Sequence, residues 1–322
     1  MSIIEKAVQR LDQLKQASAE TPAVSEESPA VVAPKPAVKS LLSEARPLAG
    51  ADAASAPPQG ITLKPATDHP TRVIEIDLGR LAKMGMVTPD RSKSTIAEEF
   101  RVIKRPLISN AKGHGAAPIA KGNLIMVTSS LPGEGKSFSA INLAVSMAME
   151  LDFTVLLVDA DFSRPSVLPR LGLPAEKGLM DVLVGEVADL RDVMLRTNIE
   201  KLTILPAGMP HARATELIAS EAMARLLAEM ASRYPDRIIV FDSPPLLATT
   251  EARVLATHMG QILVVVEAER TTHGAVTHAL STIEECPVKM MILNKSRGQT
   301  GGLYGYGYGY GYGSDTRTET PA

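Results

Sequence analysis

The sequence predicts a doubly wound α/β fold with a mainly parallel sheet and P-loop NTPase-type architecture. From Asn123 onward, short β-branched apolar runs ("NLIMVTSS", "FTVLLVDA", "LTILPAG", "RIIVFDS", "QILVVVEAE", "KMMILNK") alternate with helical stretches. Runs this continuously apolar suit strands buried on both faces, and the intervening lengths suit crossover helices. The first run passes through "LPGEGKS" directly into a helical stretch. Two later runs end in carboxylates, Asp159 with Asp161 and then Asp242, at the strand ends where open α/β sheets bind their ligands.

Along the chain, residues 1–17 predict an amphipathic docking helix. Ser2 and Glu5 make a capping box, and Ile3, Ile4, Ala7, Val8, Leu11 and Leu14 share one face. Residues 18–70 are rich in Pro, Ala, Ser and Glu without periodicity and predict a disordered linker. Residues 71–120 form a helical lead-in, in which "STIAEEFRVIKRPLI" opens on a capping box from Thr95 to Glu98 and is perturbed or ended by Pro106. The P-loop domain spans residues 121–298, and "ARATELIASEAMARLLAEM" within it predicts one amphipathic helix. Residues 299–322 form a Gly/Tyr-rich tail, with Tyr304, Tyr306, Tyr308, Tyr310 and Tyr312 alternating with glycines. The glycines argue against a lone strand and for a mobile tail.

Composition narrows the function classes. With 322 residues and 45% hydrophobic content, most of the chain can build a core. A net charge of -2 gives no basic bias, which disfavours wholesale nucleic-acid binding and charge-driven attachment to anionic lipid. The single Cys286 forms no internal disulfide and reads as a small buried or half-buried hydrophobe in a reducing compartment. No segment approaches the run of about 20 apolar residues that spans a bilayer, and "MSIIEKAVQR" lacks the pattern of a signal peptide. The expectation is a cytoplasmic protein. His258, His273 and His278 have no companions at ligand spacing and read as surface or cap residues.

The phosphate site follows from the strand–loop–helix context. Gly133 and Gly135 let the backbone turn its N–H groups inward, Lys136 can reach terminal phosphates, and Ser137 can offer its hydroxyl to magnesium. Ser130 stands where the first glycine of GxxxxGK[ST] would be. Asp159, Asp161 and Asp242 could hold magnesium or accept a proton from an attacking hydroxyl.

Together "SSLPGEGKS", "LLVDADFSRP" and "IIVFDSPPLL" resemble the Walker A, Walker A-prime and Walker B motifs of the bacterial tyrosine autokinases, the BY-kinases of polysaccharide export. The tyrosine-rich tail, "KGLMDVLVGE", "LPAG" and "AEEFRVIK" fit the same family, whose ExxRxxR segment packs against a neighbouring kinase domain in a ring. Glu98 and Arg101 match that segment, and Lys104, with Arg105 beside it, takes its third position. The opening helix and "IAEEFRVIKRPLI" resemble the autokinases of exosortase-linked exopolysaccharide loci. The resemblance implies transfer of the ATP γ-phosphoryl group to the tail tyrosines in trans, with magnesium as cofactor. It also implies recruitment to the inner face of the membrane by a chain-length-determinant polysaccharide co-polymerase. Each tail phosphate would add about -1.5 to -2 charge, and such charges repel, so a ring or other homo-oligomer is expected of the unphosphorylated form. On this resemblance Gly133, Glu134, Gly135, Lys136, Ser137, Phe138 and Arg164 hold the nucleotide, with Asn294 at the adenine. Ser137, Asp161 and Asp242 organise magnesium, Lys136 and Asp161 serve catalysis, and Asp159 is the base for the phenol. The rival readings are a switch ATPase of the ParA and MinD kind and an ATP-binding scaffold with an adhesive tail. Leu131 occupies the position of the switch ATPases' signature lysine.

Overall fold

The computed structural model describes residues 72–114, 117–233 and 236–296. The docking helix, the linker and all five tail tyrosines lie outside the described residues.

In chain order the elements are β1 (Val73–Ile74), α1 (Leu78–Lys83), α2 (Thr95–Ala111), β2 (Leu124–Ser129), α3 (Lys136–Ala148), β3 (Thr154–Asp159), α4 (Val167–Leu171) and α5 (Leu179–Val184). Then come β4 (Leu195–Thr197), β5 (Leu202–Leu205), α6 (Ala214–Ile218), α7 (Glu221–Arg233), β6 (Arg237–Asp242), α8 (Thr250–Ala256), β7 (Gln261–Glu267), α9 (His273–Ser281) and β8 (Val288–Asn294). The strands form one eight-stranded sheet in the order β1-β4-β5-β3-β6-β2-β7-β8. Every neighbouring pair is parallel except β4 with β5.

Alternation along the strands sends side chains to opposite faces. Met126, Leu156, Val158, Ile239 and Phe241 join a core that includes residues of α5, α6, α7, α8 and α9. Ile125, Val127, Val155, Leu157 and Val240 join a second core with residues of α1, α2, α3 and α4. Helices therefore cover both faces, as the continuously apolar strands β2, β3 and β6 require. The register sets Asp159 of β3 opposite Asp242 of β6, so both carboxylates arrive at the same edge of the sheet.

Several local expectations are corrected. The cap of α2 is Ser94, whose hydroxyl accepts from Ala97 N, rather than Thr95. Pro106 lies inside α2 without ending it. The carbonyl that loses its donor belongs to Val102, which is 74% exposed, so water can satisfy it. The predicted single helix over 212–230 is two, α6 and α7, because Ser220 accepts from Met223 N and donates to Leu217 O at the break. Strand β8 is half-buried on one face and exposed on the other: it is an edge strand with alternating exposure. Strands β1 and β4 are additions that short runs did not signal.

Lys104, expected at an oligomer contact, is buried. Its ammonium donates to Ser146 O at the end of α3 and pairs with Glu150 at 2.8 Å, so it ties α2 to α3. That pairing holds the Glu150 carboxyl below its ordinary range. Glu98 and Arg101 pair with each other on the outer side of α2, where Arg105 is also exposed. Cys286 is buried, as expected of a small hydrophobe.

Candidate functional site

The loop between β2 and α3 is built by its own side chains. Gly135 caps α3 at φ 104°, a left-handed conformation open to glycine, and a Cβ there would meet Asn294 Nδ2 at 2.0 Å. Glu134 is 2% exposed: one carboxylate oxygen accepts from Leu131 N at 2.6 Å and the other from the Thr271 hydroxyl. Its side chain therefore staples the loop rather than facing a ligand. From the far end of the sheet, Asn294 Nδ2 donates to Glu134 O at 2.8 Å and Lys295 Nζ donates to Gly133 O at 2.7 Å. With those carbonyls held outside, the loop can keep its N–H groups for an anion at the N-terminus of α3. Phe138 packs its ring against the core, leaving only its backbone to the site.

Lys136 reaches across the loop to Asp161 Oδ2 at 2.8 Å and comes within 3.8 Å of Asp242 Oδ1. The Ser137 hydroxyl lies 2.7 Å from that of Ser166, which in turn donates to Asp242 Oδ2 at 3.2 Å. Asp242 is fully buried, and burial is the main reason its carboxyl is pushed above the usual range, with the Lys136 charge opposing. Among the described residues, Asp242 Oδ1 is one of the buried side-chain atoms with no hydrogen-bond partner.

Such an orphaned carboxylate oxygen beside a serine hydroxyl and Asp161 is an oxygen-only donor set that suits a hard cation. Among the described residues no cluster of three or more His, Cys, Asp or Glu could hold a metal by itself. A cation here would have to complete its shell with water and phosphate oxygens, which is how magnesium is ordinarily held. The residues fit that ion.

Asp159 sits differently. Its Oδ2 accepts from Ser166 N at 2.8 Å and Val167 N at 2.9 Å, and its Oδ1 from Asp161 N at 3.3 Å. Burial first, and the charge of Asp242 second, push its pKa up to about 7. It is 1% exposed, so in this state it holds the start of α4 and presents no open oxygen to a phenol. Arg164 is exposed at the mouth, and its backbone N–H donates to Asp161 Oδ1 at 3.0 Å.

Lys136, Ser137, Asp161, Arg164 and Ser166 line a cleft of about 440 Å³. A larger cavity, about 610 Å³, opens at the other ends of β3, β5 and β6, but no phosphate loop borders it. The chemistry places the site in the smaller cleft. Sequence reasoning missed Ser166, Thr271 and Lys295. Ser166 lies just beyond "DADFSRP", and that adjacency was the one available signal.

Comparison with known proteins gives consistent results. Residues 122–295 match a family model described as an AAA domain. The chain is 30% identical over 209 residues to the putative tyrosine-protein kinase CapB of Staphylococcus aureus, covering 64% of this chain and 87% of the relative. It is 31% identical over 227 residues to the succinoglycan biosynthesis transport protein ExoP of Rhizobium meliloti, covering 69% of this chain and 28% of that longer protein. The chimerical protein CapA2B2 superposes with a TM-score of 0.55 at 28% identity, covering 68% of this chain and 93% of that one.

Proposed function

The chain belongs to the bacterial tyrosine-protein kinases, and from that premise we propose that it transfers the γ-phosphoryl group of ATP to its own tail tyrosines, one copy acting on another. The observation that carries the reading is the cluster of Lys136, Ser137, Asp161 and Asp242 at one phosphate loop, with a buried carboxylate oxygen left without a hydrogen bond.

Loop N–H groups and Lys136 hold the phosphates, for which the Lys136 ammonium exchanges Asp161 for a phosphate oxygen. Ser137, Asp161 and Asp242 hold magnesium, which when bound neutralises charge on the transferring group. A phenol ordinarily loses its proton near pH 10, so its attack at neutral pH needs a base. Asp159, with a pKa of about 7, has the right basicity. To act, it must exchange one of its backbone donors for the phenol. Asn294 already abuts the loop, and its contact with adenine belongs to the proposal.

The name of ExoP supports a role in exopolysaccharide biosynthesis and transport. Among the described residues no helix is long and apolar enough to cross a membrane. We place recruitment to the membrane in a separate polysaccharide co-polymerase, docked by residues 1–17. Glu98, Arg101 and the exposed Arg105 form the surface for self-assembly, from which Lys104 is withdrawn. Each tail phosphate adds about -1.5 to -2 charge, so phosphorylation should dissolve assemblies. Native mass measurements showing larger assemblies after phosphorylation would contradict that part.

The test is intact mass after incubation with ATP and magnesium, with the co-polymerase's cytoplasmic segment present. Several phosphates on the wild type, absent from Lys136→Ala and from the variant with the five tail tyrosines changed to phenylalanine, is the expected result. Silence of the wild type would favour a switch ATPase.

A further inference from the structure

Strand β8 closes one edge of the sheet: among the described residues it pairs only with β7, and no strand pairs with its outer edge. Its even positions Met290 and Ile292 pack on the core, while Met291 and Leu293 are 57% and 66% exposed. An open edge carrying two neighbouring large apolar side chains is a template for another strand, and proteins ordinarily blunt or cover such edges. The chain itself supplies a matching segment. Beyond Ser296 come "RGQTGG" and then "LYGYGYGYGYG", with apolar or aromatic residues at Leu303 and at every even position from Tyr304 to Tyr312.

We propose that the tail of the same copy folds back as an antiparallel strand on the outer edge of β8, laying tyrosines over Met291 and Leu293. The glycine-rich stretch from Arg297 to Gly302 is long enough for the turn. A register that sets Tyr304 opposite Leu293 sets Tyr306 opposite Met291 and Tyr308 opposite Lys289. All of these are on the exposed face, because both segments alternate with period two. The glycines then face the other side, where they need no pocket. They also make the added strand marginal, since each loses much backbone freedom on ordering, so docking is reversible. Direction matters as well. β8 ends at the phosphate loop, where Asn294 touches Glu134 O, so an antiparallel tail runs away from its own copy's loop. Docked phenols are thus sheltered from phosphorylation, a consequence that rests on the kinase reading, whereas the docking itself does not.

The experiment is hydrogen exchange of the segment 288–294 without nucleotide, comparing the full chain with a chain ending at Ser296. Docking predicts at least threefold faster exchange in the shortened chain, confined to the amides of β8 that face away from β7. Met291→Lys with Leu293→Lys in the full chain should exchange like the shortened one, with an unchanged melting temperature because both side chains are exposed. Equal exchange in the full and shortened chains would overturn the proposal. Protection that rises with protein concentration would overturn it too, assigning the edge to a second copy's tail. If the same double substitution speeds tail phosphorylation, sheltering is supported; if tail phosphorylation is absent throughout while exchange behaves as stated, the kinase reading fails and the docking stands.

Discussion

Asp159 and Asp242 end adjacent parallel strands in register, yet their surroundings divide them. Both are buried and both are pushed toward the protonated form, chiefly by burial. Asp159 spends its oxygens on the backbone N–H groups of Asp161, Ser166 and Val167. Asp242 has Ser166 on one oxygen and nothing hydrogen-bonded to the other. A buried acceptor without a donor costs stability, and a fold tolerates that cost where a ligand completes the group. The lesson is that two identical residues at equivalent strand ends can serve different ends, one organising backbone and one keeping an oxygen without a donor.

The contrast can be broken most directly at Asp242. Asp242→Asn should reduce autophosphorylation by about 100- to 1000-fold without lowering the melting temperature, since Oδ1 has no hydrogen bond to lose. Activity within a few fold of wild type would dissolve the distinction. Asp159→Ala, by contrast, should unfold more easily, by about 3 kcal/mol, because three buried donors lose their acceptor; chemical denaturation measures this. The pH dependence sharpens the same point. The Asp159 pKa is raised from 3.8 to about 7 on folding, so the folded state binds more protons across that window. Its contribution to stability is full below pH 3.8 and is lost as pH rises through about 7. Denaturation midpoints from pH 4 to 8 should therefore fall in the wild type relative to Asp159→Ala, and parallel curves would refute the assignment. The smallest effect belongs to Ser166→Ala. It removes the hydroxyl between Ser137 and Asp242 and should cost about 1 kcal/mol, or roughly fivefold in rate.

What the sequence disclosed of this site was its linear motifs. "GEGKS" between an apolar run and a helical stretch located the loop, and the terminal carboxylates of "LLVDAD" and "IIVFD" located the opposing wall. The six long apolar runs are all strands, so the sheet was legible in outline. What escaped depends on distant partners. Lys104 reads as one more exposed cation of an amphipathic helix until α3 ends beside it and supplies Ser146 O and Glu150. Glu134 reads as a ligand residue until Thr271 arrives to share its carboxylate. Strand β4 is three residues long and enters the sheet antiparallel, too short for any periodicity to register. The edge position of β8 escaped for a related reason: "KMMIL" is as apolar as a central strand, and only topology shows that one of its faces is uncovered.

The two donors that Asn294 and Lys295 give to the carbonyls of Glu134 and Gly133 bridge the ends of the domain. During synthesis the loop at 130–137 is made long before residue 294 exists. Until β8 has emerged and joined β7, those carbonyls lack their partners and Gly135 lacks the neighbour that bounds it. The loop is consequently finished last, by nearly the same stretch of chain that leads into the tyrosines. A nascent polypeptide therefore has no completed loop until nearly the whole chain has been made and β8 has joined the sheet.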